Sequence, residues 1–174
     1  VKRILLLRHA KSSHDDPAAS DFDRPLAVRG ENAAPRMGAR MAAAGWIPER
    51  VVVSAARRAR DTVEALWRDW PQQPPTLVES DLYGAGAADL LDRLRRLPDA
   101  EGTVLLVGHN PAIQQTALDL AGTGDADAYA AMRAKFPTAA LAVLDAEVAH
   151  WADLRPGCAV LSAFVRPGDL DGEA

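Results

Sequence analysis

Val1-Lys2-Arg3-Ile4-Leu5-Leu6-Leu7-Arg8-His9 is the stretch that decides the fold. Ile4 to Leu7 leaves no polar face, the pattern of a central strand covered on both sides, as in a parallel sheet. Val1 to Leu7 therefore reads as a buried strand, and an arginine and a histidine emerge at its end. Open α/β sheets place their ligands at the carboxyl ends of strands. A guanidinium forks onto a phosphoryl group, and a neutral imidazole beside it can attack phosphorus.

Two later strands end in comparable chemistry. Val51-Val52-Val53 leads into Ser54-Ala55-Ala56-Arg57-Arg58, with Ser54 placed to cap a helix running through Thr62 and Leu66 to about Trp70. Thr103 to Val107 leads into Gly108-His109-Asn110-Pro111. Asn110 at the cap and Pro111 at the first helical position predict a helix from about Ala112 to Ala121. Helix N-termini carry unpaired amides that favour a phosphate. If the three strands are neighbours, Arg8, His9, Arg58 and His109 converge on one anion-sized space. Arg57 and Arg60 read as a solvated helix face, and His14 and His150 as surface residues.

The rest of the pattern alternates strands with helices. Lys11 to Pro25 is a long polar loop, of the kind that is functional or mobile in a compact domain. Gly30 to Ala44 reads as a helix, with Pro35 in an early turn or at a kink and Gly45 as its C-terminal cap. Pro71 to Pro75 is a stiff connector, Thr76 to Glu79 a strand, and Asp89 to Leu97 an amphipathic helix. Gly122 to Asp127 reads as a polar break and Ala128 to Lys135 as a short helix. Ala139 to Leu144 and Ala159 to Val165 are closing strands, short enough to allow an antiparallel edge. The expected architecture is α/β, three-layer α/β/α around a mostly parallel central sheet. One domain is expected over residues 1–167, followed by a frayed tail over residues 168–174.

Composition narrows the function classes. A chain of 174 residues with 48% hydrophobic and 25% charged residues is long enough for one substantial core. Its net charge of -4 speaks against general affinity for nucleic acid or acidic membranes, while leaving room for a local basic pocket. Cys158 is alone and lies in an apolar run, so it reads as a core residue with no disulfide or CxxC chemistry. The apolar run behind Lys2-Arg3 is too short for a signal peptide or a membrane span, so a cytoplasmic location is expected. No histidine or carboxylate pair has metal-ligand spacing, and neither a metal nor another cofactor is expected.

Taken jointly, four ordered segments resemble the histidine phosphatase (phosphoglycerate mutase-like) superfamily. Arg8 to Ser13, RHAKSS, is similar to its RHG-type signature, and Ser54 to Thr62, SAARRARDT, to its SPxxRAxxT segment. Val107 to Pro111, VGHNP, looks like the second-histidine motif, and Asp21 to Gly30, DFDRPLAVRG, like the DxPLTxxG stretch. With RHAKS, this points to the compact SixA-like branch, the protein phosphohistidine phosphatases. The resemblance runs from Val1 to about Pro167 and includes FPTAAL from Phe136. It implies a phosphoglycerate mutase-like fold and His9 as a nucleophile that becomes phosphohistidine. Arg8, Arg58 and His109 would bind the phosphoryl oxygens and stabilise transition-state charge.

Several positions depart from the family pattern. Ala10 replaces the motif glycine, Ala55 the usual proline, and Lys11 stands where many relatives have an acidic or amide residue. Phosphatases and mutases acting on esters also use a carboxylate as general acid. Here Asp81, directly before Leu82-Tyr83-Gly84, is the candidate acid, with Glu79 behind it; the competing reading of Asp81 is a turn-stabilising aspartate. A missing acid suits a phosphoramidate substrate, whose protonated imidazole leaves as a neutral ring. The expected partner is accordingly a phosphorylated protein, such as a histidine phosphotransfer domain, or else a small phosphate ester. The competing functions are a small-molecule phosphomonoesterase or mutase, and a non-catalytic phosphoprotein-binding module.

Overall fold

Alternation along β1 (Lys2–Arg8) accounts for its unbroken apolar run. Ile4 and Leu6 pack into one core cluster with Leu90, Leu94 and Ile113, whereas Leu5 and Leu7 pack into another with Met37, Met41 and Val63. The structure, a computed structural model, describes residues 1–171. Helices α1 (Val28–Ala44) and α2 (Arg57–Leu66) cover one face of the sheet. Helices α3 (Ala87–Arg95), α4 (Ala112–Leu120) and α5 (Ala126–Ala134) cover the other. Three α/β/α layers result. α1 and α2 approach closely at Gly38, where a Cβ would run into the Leu66 carbonyl. The Gly38 carbonyl accepts the indole N–H of Trp70 at 2.9 Å. No helix among the described residues is long and apolar enough to cross a membrane.

The other strands are β2 (Arg50–Ser54), β3 (Thr76–Glu79), β4 (Thr103–Gly108), β5 (Ala121–Gly124), β6 (Leu141–Ala146) and β7 (Ala159–Val165). Their order across the sheet is β3-β2-β4-β1-β6-β7-β5. β3, β2, β4 and β1 pair in parallel, as do β7 and β5, while β6 runs antiparallel to both its neighbours. The sheet is thus mostly parallel, but its one reversed strand lies inside rather than at the expected edge. Burial is the reason: Leu141 to Leu144 are all fully buried, which an edge position would not allow.

Other boundaries differ from expectation for local reasons. Ala121–Gly124 is an edge strand and not a polar break; it pairs through its backbone, and Gly122 to Gly124 are exposed, so no hydrophobic alternation marks it. α5 begins at Ala126 because Asp125 caps it, accepting the Ala128 N–H at 2.8 Å. α1 begins at Val28, which is 72% exposed and contributes no core periodicity, so Pro35 lies inside the helix. Gly45 caps α1 in the left-handed conformation, at φ 75°. α2 stops at Leu66, and Trp67–Asp69 continue as a 3-10 turn. Helix α3 starts at Ala87 and ends at Arg95, two residues short of Leu97. The described part of the tail is not frayed: Pro167–Leu170 form a 3-10 turn, Leu170 is buried, and Asp171 pairs with Arg36 at 2.8 Å. The rest of that tail, residues 172–174, lies outside the described residues.

Candidate active site

The sheet order brings the ends of β2, β4 and β1 side by side. Arg8 on β1 pairs in register with Gly108 on β4, and the His9 N–H donates to the Gly108 carbonyl at 3.0 Å. His9 and His109 therefore follow on adjacent strands, with ring centroids 5.0 Å apart. Arg58, in the first turn of α2, points its Nε at His9 Nε2 across 3.3 Å. Arg8, His9, Arg58 and His109 all line one cavity of about 240 Å³, as do Lys11, Ser12, His14 and Arg24.

The sequence fixes each of these side chains by short-range contacts. His9 Nδ1 lies 2.7 Å from the Ala10 carbonyl, an acceptor, so Nδ1 carries the ring proton and Nε2 the lone pair. The Ala10 N–H donates to Thr62 Oγ1 at 2.9 Å, and that hydroxyl donates to the Arg58 carbonyl at 2.7 Å. Thr62 thereby ties the β1 turn to α2. Ala10 stands where the family motif has glycine, and its methyl group is fully buried against Leu26, Ala34 and Ala139. Arg8 Nη1 donates to the Phe136 carbonyl at 3.0 Å, which Asn110 Nδ2 also reaches at 3.1 Å. The N–H of Ala139 closes the same wall by donating to the Arg8 and His9 carbonyls, at 3.0 and 3.1 Å.

Ser54 does not cap α2. The N-cap is Ala56, and Ser54 Oγ instead accepts the Ala56 N–H at 3.2 Å and lies 2.8 Å from His109 Nε2. Its β2 position, one strand from β4, aims the hydroxyl at the histidine rather than along the helix. Asn110 is likewise displaced from the cap, which is Pro111; its Oδ1 accepts the Gln114 N–H at 3.3 Å.

The carboxylate that reaches this site is Asp21, which sequence reasoning did not single out. Asp21 begins a 3-10 turn, Asp21–Asp23, in the long loop. Its carbonyl accepts from Arg58 Nη1 at 2.6 Å and its Oδ2 pairs with Arg58 Nη2 at 3.2 Å. The Tyr83 hydroxyl donates to the same Oδ2 at 2.5 Å, and the Tyr83 ring stands edge-on to His109 with centroids 5.7 Å apart. The Tyr83 hydrogen bond, with Arg24 and Arg58, holds the Asp21 carboxyl far below the usual carboxylate range, so it is ionised. The only sequence signal for it was its place in DFDRPLAVRG.

Asp81 and Glu79 are placed elsewhere. Asp81 is exposed and lines a separate groove of about 860 Å³, and Glu79 is bound there by Arg93 through Nε and Nη2 at 2.7–2.9 Å. Neither lines the histidine cavity. Arg57 and Arg60 are exposed, the first paired with Asp61 at 3.4 Å and the second bonded to the Ala55 carbonyl at 2.8 Å. His14 is exposed but lies on the cavity rim, with Arg24 Nη1 2.6 Å from its Nε2. His150 is exposed and pairs with Asp99 at 2.9 Å. Cys158 is half-buried against the core. Among the described residues, no cluster of three or more His, Cys, Asp or Glu side chains is arranged to hold a metal ion.

Burial and positive neighbours set the charge state of both histidines. Desolvation, followed by His109, Arg58 and Arg8, pushes His9 down to about 3 against the pull of its Ala10 hydrogen bond. Desolvation, Arg58 and Arg8 push His109 down to about 4, with Asp21 opposing. Both rings are neutral at pH 7. The unfolded chain protonates these rings near pH 6.5. As pH falls below that value the unfolded state binds protons that the native state refuses, so native stability drops. His9 alone contributes a slope of at most about 1.4 kcal/mol per pH unit between about pH 6.5 and 3. Urea unfolding at pH 6 and pH 5 should show this loss, and His9→Gln should flatten it by nearly one proton.

The chain is similar to known proteins. Residues 4–83 match the model of the histidine phosphatase superfamily (branch 1). An uncharacterized protein of Mycobacterium tuberculosis is 39% identical over 163 residues, covering 92% of this chain and 99% of its own. Two solved structures, each provisionally named phosphohistidine phosphatase SixA, are similar over nearly the whole chain. The one from Nakamurella multipartitia is 30% identical, with a TM-score of 0.81 over 95% of this chain and 96% of its own. The one from Agrobacterium tumefaciens is 30% identical, with a TM-score of 0.80 over 95% and 98%.

Proposed function

Because the chain belongs to the histidine phosphatase superfamily, in its SixA-like branch, we propose that it removes phosphoryl groups from phosphohistidine in proteins. The observation that carries this reading is the paired state of His9: Nδ1–H is held by the Ala10 carbonyl, and the unprotonated Nε2 accepts from Arg58 Nε at 3.3 Å at the cavity that Arg8, Arg58 and His109 line. The phosphoryl group occupies that cavity with its oxygens on the two guanidiniums and His109. His9 Nε2 forms a bond to phosphorus while the bond from phosphorus to the substrate imidazole breaks. Protonation of the substrate ring at its other nitrogen lets it leave neutral, so no acid at the leaving atom is needed. Water then attacks phosphorus, the bond to Nε2 breaks, a proton passes to solvent, and His9 returns to its starting state.

Esters set a different requirement. An alkoxide leaving group needs a proton at the departing oxygen. Asp21 is ionised and held by Tyr83 and Arg58, Glu79 is bound to Arg93, and Asp81 lines another groove. Among the described residues, no carboxylic acid is thus set up to protonate an ester, which supports phosphohistidine over phosphate esters as the substrate class. The test compares a phosphorylated histidine phosphotransfer domain with sugar phosphates and nucleotides. Turnover of the phosphoprotein is expected to exceed that of any ester by at least about a hundredfold in kcat/KM, the scale of general acid catalysis. Equal or faster ester turnover, lost in Asp81→Asn, would replace this reading with a phosphomonoesterase.

A further inference from the structure

A smaller recess of about 90 Å³ adjoins the catalytic cavity, with Lys11 and Thr138 lining both. A liquid water occupies roughly 30 Å³, so this recess has the size of a carboxylate and little more. Two cations line it, Lys11 and Arg29. Both are exposed, and neither has a hydrogen-bond or ion-pair partner among the described residues. The backbone brings the two segments that carry them together. The Lys11 carbonyl accepts the Ala27 N–H at 2.9 Å, and Gly30 packs so closely on Lys11 that a Cβ there would strike its backbone oxygen. Arg29 is the residue beside that glycine.

No acidic residue lines either cavity, although the chain carries 24 acidic against 20 basic side chains. A phosphoryl group on Arg8, Arg58 and His109 leaves Lys11 and Arg29 without counter-charge. On its other side the recess adjoins an outer cavity of about 520 Å³, with Arg29 and Pro167 lining both. There Val28 is 72% exposed, and the one further cation, Arg36, is already paired with Asp171. A row of adjoining cavities that extends from the phosphoryl site to an apolar side chain fits a polypeptide better than a small ester.

We infer that Lys11 and Arg29 form a carboxylate subsite that reads an acidic side chain flanking the phosphorylated histidine of a protein substrate. This inference rests on the phosphohistidine activity proposed above. The test uses the full chain with three probes: phosphoramidate, and two peptides of equal length whose single phosphohistidine is flanked by aspartates or by lysines. Wild type should favour the aspartate peptide by about tenfold in kcat/KM, mainly through KM, with the preference shrinking as salt rises. Arg29→Glu should reverse that order while hydrolysing phosphoramidate at the wild-type rate. Equal use of the two peptides by wild type, or the same preference in wild type and Arg29→Glu, overturns the subsite and leaves the phosphohistidine reading standing. Hydrolysis of phosphoramidate but of neither peptide overturns both.

Discussion

His9→Ala should lower turnover of a phosphorylated protein by at least about 10⁴-fold, the scale on which removal of a covalent nucleophile acts. The reason is geometric. Nε2 of His9 is unprotonated and its one partner is Arg58 Nε at 3.3 Å, a proposed phosphate-binding group of the same cavity, while the Nε2 of His109 is engaged with the Ser54 hydroxyl on β2 at 2.8 Å. His109 is therefore not placed to substitute for it. Wild type quenched during turnover should carry phosphate that is labile in acid and stable in base, and His9→Ala should carry none. The fold should survive, because the ring's two hydrogen bonds, with the Ala10 carbonyl and with Arg58 Nε, both lie at the site, and its loss leaves a cavity open to solvent there. A wild-type enzyme without phosphate on His9, or a His9→Ala variant that still turns over, would remove the covalent mechanism.

Arg58→Ala is expected to cost about 10³-fold in kcat/KM, within the range for an arginine that stabilises a phosphoryl transition state. Three functions meet in this side chain. Its Nε addresses His9, its Nη1 and Nη2 hold the Asp21 turn, and its charge lines the anion cavity. Protonation of His9 is not the cause of the loss, because desolvation leads the forces on that ring and keeps it neutral at pH 7 without Arg58. The loss belongs to the clamp. Arg58→Lys should therefore stay within about tenfold of Arg58→Ala, since an ammonium cannot reproduce a planar fork with donors in three directions. A lysine variant near wild-type rate would show that charge alone suffices; an NMR titration of His9 separates the clamp from the pKa effect.

The sequence shows the site more clearly than the sheet around it. Arg8, His9, Arg58 and His109 stand at strand ends or in the first turn after one, and chain direction alone sends strand ends to one side of a parallel sheet. β6 carried no mark of its reversal, because Leu141 to Leu144 are buried and apolar in either direction. β5 carried no mark of being a strand, because its ladder is made by backbone and two of its four residues are glycines, which leaves no alternation to read. Ser54 was legible as a polar residue at a strand end, but the competition between a cap and a cross-strand histidine is settled only by where β4 lies. Asp21 and Tyr83 lie 62 positions apart, and their meeting over Arg58 depends on a loop folding back, which no periodicity encodes. The acid expected at Asp81 belongs to the same gap: its neighbour Tyr83 turns toward the histidines while Asp81 turns away, into the broad groove.

The hydrogen bond from His9 Nδ1 to the carbonyl of the very next residue has a consequence for how this chain tolerates change. In many histidine catalysts a distant carboxylate decides which ring nitrogen reacts, and a mutation there silences the enzyme. Here that decision is made inside a dipeptide, by a main-chain oxygen that no side-chain substitution removes. Drift in the loops and rims can retune affinity and specificity while the reactive nitrogen stays the same. The proposed nucleophile is insulated from the evolution of the surface around it.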